Sequence, residues 1–240
     1  LVATKIPFII EALITEIVGS LFNMAERNID IPPLFKYPYQ LFKKYASFII
    51  GVMTTFFILG LMPQVYLFLY APTEPTFESQ FISITALLVQ LFLALGFTKI
   101  MLYLVDDRAV EVNDLINNGR IYFSYVVAHF MYIIAVGIGL FLLIIPGIYL
   151  ALRLLFYPYY IIEYGDPSYI AMQKSWQATE GWTLELFIFG VCVLGLNFLG
   201  ALCFGIGVIV TYPITTMATA IVFKGLDNEA DEIPAEEYQP

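Results

Sequence analysis

Between Gly139 and Trp182 the sequence reads GLFLLIIPGIYLALRLLFYPYYIIEYGDPSYIAMQKSWQATEGW. One membrane-length apolar run ends here, an Ile-Pro-Gly turn follows, and a second run carries Arg153 in its middle. Runs of this length and apolarity are spans of a bilayer. Composition agrees: the chain is 60% apolar and 13% charged, against about 45–50% and about 25% in soluble domains. The expected class is an all-α integral membrane protein. The alternating ten-residue strands of an outer-membrane barrel are missing from the pattern.

Six spans follow from the apolar runs, at about Tyr45–Pro63 (extending to Tyr70), Phe81–Leu104, Ile121–Ile145, Ile148–Tyr164, Trp182–Leu199 and Val208–Phe223. Pro146-Gly147 is expected to turn the third span into the fourth. Residues 5–24 place Ile6, Ile10, Leu13, Ile17 and Leu21 on one helical face, with Glu11 and Glu16 off it. Two carboxylates inside a span would cost roughly 2.5 kcal/mol or more each, so this segment reads as an interfacial amphipathic helix. It carries no signal-peptide cleavage site, and with Leu1 first a natural start further upstream is an expectation. Residues 25–44 read as a linker broken at Pro32-Pro33 and Pro38, with cations and tyrosines suited to headgroups. Asp106–Gly119 and Asp166–Gly181 read as two more amphipathic helices. In the second, Asp166 caps, Pro167 opens the helix, and Tyr169, Met172 and Trp176 form the apolar stripe. The expected organisation is 1–44 helix and linker, 45–226 six-span domain, and 227–240 mobile acidic tail.

Two passages repeat in order. A span opens at Gly119 and again at Gly181, and a glycine turn stands at Gly147 and again at Gly207. The offset of about 60 residues suggests a parallel repeat of amphipathic helix, span, turn and returning span. The result is three hairpins, with amphipathic helices on one side.

Positive charge fixes that side. Lys36, Lys43, Lys44, Lys99, Arg108, Arg120, Lys174 and Lys224 all fall at one end of the spans, and the opposite loops hold no Lys or Arg. Both termini are therefore expected in the cytoplasm, in a prokaryotic inner membrane. The amphipathic helices then face anionic lipid. The net charge of −9 comes largely from the tail after Lys224 and argues against nucleic acid.

The segment LLIIPGIYLALRLLFYPYYIIEYGDPSYIAMQKSWQATEGW, with the closing GIGVIVTYPITTMATAIVFKGL, resembles a six-span family of bacterial and archaeal membrane domains. That family includes the membrane domain of some glycerophosphoryl diester phosphodiesterases, and stand-alone relatives of unknown function. The resemblance implies the six-span fold. It does not imply an enzyme, because the phosphodiesterase chemistry of those relatives resides in a separate soluble barrel.

Candidate site residues are few. Arg153 lies about 16 Å from the cytoplasmic end of its span at 1.5 Å per residue, so it must face the bundle interior. Either it is a structural arginine or it forms an anion or lipid-phosphate site, with Thr54, Thr55, tyrosine hydroxyls or a carbonyl freed by Pro158 as neighbours. His129 sits at a similar depth and reads as a hydrogen-bonded core histidine or a proton relay. Lys99, Asp107, Arg108, Arg120, Glu163, Asp166, Lys174 and Glu185 form a cytoplasmic charge collar, in which Glu163 and Glu185 are expected to pair with nearby cations. Cys192 and Cys203 stand in apolar surroundings without a CxxC or a His/Cys cluster, so neither a metal nor a cofactor is expected. The leading functional expectation is a non-enzymatic accessory or scaffold subunit, with membrane lipids and other membrane subunits as partners. The alternative is a small transporter or lipid-handling protein that uses Arg153.

Overall fold

A computed structural model describes residues 31–70, 77–202 and 207–232. Nine α-helices occur among them: α1 (Ile31–Lys44), α2 (Ala46–Tyr70), α3 (Phe77–Val105), α4 (Gly119–Leu142), α5 (Ile144–Arg153), α6 (Tyr157–Tyr164), α7 (Ser168–Ala178), α8 (Thr183–Leu202) and α9 (Val208–Glu232). A 3-10 turn, Val112–Leu115, precedes α4. Six segments are long and apolar enough to cross a membrane: Ala46–Pro63, Phe77–Val105, Gly119–Leu142, Ile144–Tyr164, Thr183–Leu202 and Val208–Asn228. Helices are the form such segments must take, because lipid offers no partners for backbone N–H and C=O groups. The amphipathic helix expected over 5–24 lies outside the described residues, as do Cys203 and the end of the tail. Cys192 is a free thiol.

Consecutive spans pack on each other: α2 on α3, α4 on α5, and α8 on α9. Two of these contacts are glycine against glycine. A Cβ at Gly147 would come 2.6 Å from the backbone nitrogen of Leu140, and one at Gly139 would come 2.8 Å from Gly147 Cα. A Cβ at Gly207 would come 2.5 Å from Gly200 O. The same device thus recurs at the offset of the sequence repeat. Leu143 alone, in extended conformation (φ −162°, ψ 151°), turns α4 into α5. Pro146 does not turn the chain as expected. It sits in the first turn of α5, where the missing N–H costs no helical bond.

Three other expectations change. The linker before the first span is helical from Ile31, with Pro38 inside α1. Pro38, Leu41 and Phe42 are buried at helical spacing, and α1 packs along α9. Burial of that stripe outweighs the one backbone bond Pro38 removes. The amphipathic helix expected over Asp106–Gly119 shrinks to the 3-10 turn, with Asp107 left-handed at φ 52°. There Asp114 Oδ2 accepts from Glu111 N at 2.9 Å, and Asn118 Nδ2 donates to Asp114 O and Leu115 O at 3.0 Å each. Such side-chain bonds compete with helical ones. Gly96 lets the turn seat closely, since a Cβ there would collide with the Leu115 carbonyl. Finally, the sixth span does not stop near Phe223. It continues as helix to Glu232.

The core lies toward the charged end. Leu41, Ile49, Met53, Phe97, Ile100 and Met217 belong to one cluster of buried residues, and Leu95, Phe156, Ile161, Ala171 and Phe223 to the other. Further along, α8 and α9 are pinned by polar groups: Asn197 Nδ2 donates to Thr215 Oγ1 (3.0 Å), and Thr211 Oγ1 donates to Asn197 Oδ1 (3.2 Å). Asn197→Leu is expected to lower detergent thermal stability by only about 1 kcal/mol, because Thr215 already bonds Tyr212 O at 3.0 Å. A loss well above that figure in a melting assay would show that the pin does more than join two helices.

Candidate functional site

The fourth span is broken. A proline in a helix removes the bond to the carbonyl four residues back and crowds it. Pro158 therefore cannot extend α5 past Leu154, and instead opens α6 in its first turn. In an unbroken helix, Phe156 N–H would donate to Leu152 O, and Arg153 O would accept from Tyr157 N–H. Here Leu152 O accepts from Leu155 N at 3.2 Å, and Tyr157 N points to Leu154 O at 3.5 Å.

The groups released by the break are met by α7. Phe156 N donates to Ser175 Oγ at 3.0 Å, and Ser175 Oγ donates to Arg153 O at 3.0 Å. Thr179 Oγ1 lies 3.1 Å from Arg153 O and 2.8 Å from Ser175 O. Ser175 and Thr179 are 0% exposed. The buried face of α7 is thus Ala171, Met172, Ser175 and Ala178. Of the expected stripe of Tyr169, Met172 and Trp176, Met172 is buried and Trp176 packs against the core, but Tyr169 is exposed. Pro167, not Asp166, is the N-cap of α7. Asp166 instead pairs with Lys174 at 2.8 Å.

Arg153 is 2% exposed. Its guanidinium carbon stands 4.5 Å from the centroid of the Trp176 ring and 5.7 Å from that of Tyr149, a cation–π arrangement strengthened by desolvation. Close by along the chain, His129 Nδ1 and Tyr157 OH are 2.8 Å apart, with Tyr125 stacked on both rings. Thr54 and Thr55 are not part of this arrangement. They are exposed on α2 and donate to their own helix, at Ile50 O (2.7 Å) and Gly51 O (2.9 Å). Short hydroxyl side chains in apolar helices satisfy themselves in this way.

The charge collar resolves into discrete pairs. Arg108 binds Asp106 at 2.8 Å and also contacts Glu163. Lys224 lies 3.0 Å from each of the same two carboxylates. This quartet ties the ends of α3 and α6 to α9. The hydrogen bond to Glu163 also raises the Arg108 pKa above the ordinary arginine value. Tyr164 OH donates to the buried Asp227 at 2.5 Å, so the first part of the acidic tail is bound into the fold. Lys99 meets Asp114 at 3.4 Å. Asp107 and Arg120 are exposed. Glu185 is 8% exposed in the first turn of α8, and neither of its oxygens has a hydrogen-bond partner. It sits where the helix N-terminal dipole favours a carboxylate, and among the described residues it pairs with no cation. Among the described residues no His/Cys/Asp/Glu group could hold a metal ion.

Sequence reading missed Ser175 and Thr179, although their spacing of four puts them on one helical face. It placed Lys224 at the cytoplasmic end and began a helix at Asp106 without joining the two, and it assigned Asp227 to a mobile tail.

These features define an all-helical, multi-pass membrane protein. No family model, curated protein or solved structure matches the chain.

Proposed function

We propose that this protein is a non-enzymatic accessory or scaffold subunit of a larger membrane assembly, oriented with both ends in the cytoplasm of a prokaryote. The carrying observation is the exposure of the second half of α2 and the first half of α3. From Thr54 onward none of the α2 side chains described is buried, and α3 has no buried residue before Leu91. Phe57, Ile58, Tyr66, Phe77 and Phe81 are all exposed there. Two apolar helices free on their outer faces suit packing against partner helices. The one-sided Lys and Arg distribution supports the orientation, and the resemblance to the six-span family fits a domain without chemistry of its own.

A transport or lipid-handling role for Arg153 requires the packing around the guanidinium to open, because the side chain is enclosed as the chain stands. The test is a photo-crosslinker placed at Ile58 or Phe81 in the native membrane, with extraction in mild detergent. The expected result is one defined cross-linked species and a complex of fixed stoichiometry. A lone monomer without cross-links at either position overturns the reading.

A further inference from the structure

An open groove of about 660 Å3 lies where α1, the end of α3 and the last turns of α9 meet. Its apolar wall is Leu34, Val105 and Ile221, and its polar end is Tyr37, Asp106, Lys224 and Asn228. The groove is at the end of the molecule where Lys and Arg gather. The outward side of α1 beside it carries Lys43 over the Tyr39 ring (4.5 Å) and Lys44 over the Tyr45 ring (4.9 Å). Exposed cations on tyrosines mark the headgroup layer. The groove therefore opens at headgroup depth, with its apolar wall available to the glycerol and upper acyl region of a lipid.

The polar end has unused valences of both signs. Lys224 Nζ carries three protons; it donates to Glu163 Oε1 and forms an ion pair with Asp106 Oδ2 at 3.0 Å. The third is left for an anion. Both ion pairs of Asp106 run to Oδ2, so Oδ1 keeps its acceptor capacity for a further cation. Two carboxylates and two cations leave the quartet neutral, so it selects for neither net sign. Its complement is a ligand bearing a phosphate and an ammonium together.

We propose that this groove binds a phospholipid with a primary amine in its headgroup, of the ethanolamine type. Lys224, Tyr37 and Asn228 donate to its phosphate, Asp106 accepts from its ammonium, and Leu34, Val105 and Ile221 line its glycerol end. A choline headgroup has no N–H to give Asp106 and is held instead by aromatic cages, for which Tyr37 alone does not suffice. An anionic glycerol headgroup leaves Asp106 unanswered. The inference does not depend on the accessory-subunit reading, since it concerns the isolated chain.

The test reconstitutes the full chain into vesicles of equal ethanolamine, choline and glycerol phospholipids, then measures retained lipid by native mass spectrometry. At least tenfold preferential retention of the ethanolamine lipid is expected. Leu34→Trp, which fills the groove without touching the ion pairs, is expected to abolish that preference, and Tyr169→Trp, on exposed α7 surface, to leave it unchanged. Should Leu34→Trp fail to fold, Asn228→Trp fills the groove from α9 at an exposed position. Equal retention of the three lipids, preference for the glycerol or choline lipid, or a preference that survives groove filling overturns the proposal.

Discussion

Ser175→Ala is expected to destabilise the protein by about 1–3 kcal/mol, the cost of leaving a buried hydrogen-bonding group unpaired. The unpaired group would be Phe156 N–H, whose acceptor in the fold is Ser175 Oγ and whose residue is 0% exposed. Arg153 O would keep Thr179 as a donor. Thr179→Val alone is therefore expected to cost less than about 1 kcal/mol, in the range of a single net hydrogen bond, because Ser175 still donates to Arg153 O. The double variant removes both donors that α7 supplies to Arg153 O and the acceptor of Phe156 N–H. Its loss should exceed the sum of the two single losses, as coupled neighbours require. Thermal unfolding in one detergent gives all three values. Trp176, stacked on Arg153, supplies a second signal, since undocking of α7 would shift its fluorescence to the red. A double variant that melts with the wild type would show that α7 does not hold the break together.

The parts legible in the sequence were those fixed by solvent. A bilayer imposes length and apolarity on each span, and Lys99, Arg108, Lys174 and Lys224 could be placed at one end without knowing any contact. The pairing of Arg108 with Glu163 was within reach for the same reason, since both stood at that end. What was not legible was set by neighbours distant in sequence. Pro158 could be read as releasing a carbonyl, but not as starting a new helix, because whether a span tolerates a break depends on what lies against it. Ser175 and Thr179 are those neighbours, and a hydroxyl on an amphipathic helix reads as surface until something needs its proton. Pro38 misled in the opposite direction. Its local cost is visible in residues 31–44, but the gain from burying Leu41 and Phe42 beside α9 is not, since nothing in that segment names α9. Asp106 and Lys224 are 118 positions apart in the chain numbering, and only the fold makes them one site with Glu163.

The glycine contacts yield a prediction with opposite signs at neighbouring positions. Gly→Ala inside a helix ordinarily stabilises by about 0.5–1 kcal/mol, through lost backbone freedom in the unfolded chain. Gly137 in α4 and Gly195 in α8 have nothing within 4 Å of an added Cβ, so alanine there is expected to raise the melting temperature. At Gly147 the new methyl would stand 2.5 Å from Leu140 side-chain carbons and 2.6 Å from Leu140 N. At Gly207 it would meet Gly200 O at 2.5 Å and Gly200 Cα at 2.8 Å. A side chain can rotate away from such an intrusion, but backbone yields only if the two helices separate. Alanine at Gly147 or Gly207 is therefore expected to destabilise by about 1–3 kcal/mol, the usual cost of overpacking. Gly207→Ala should cost the more, because its three nearest atoms are all backbone of Gly200. Gly147→Ala has some relief through the Leu140 side chain. The four variants, melted side by side in one detergent, should separate into two that rise and two that fall. If Gly207→Ala rose with Gly195→Ala, the close approach of α8 and α9 would not be what holds that pair, and the parallel with Gly139 and Gly147 would lose its physical basis.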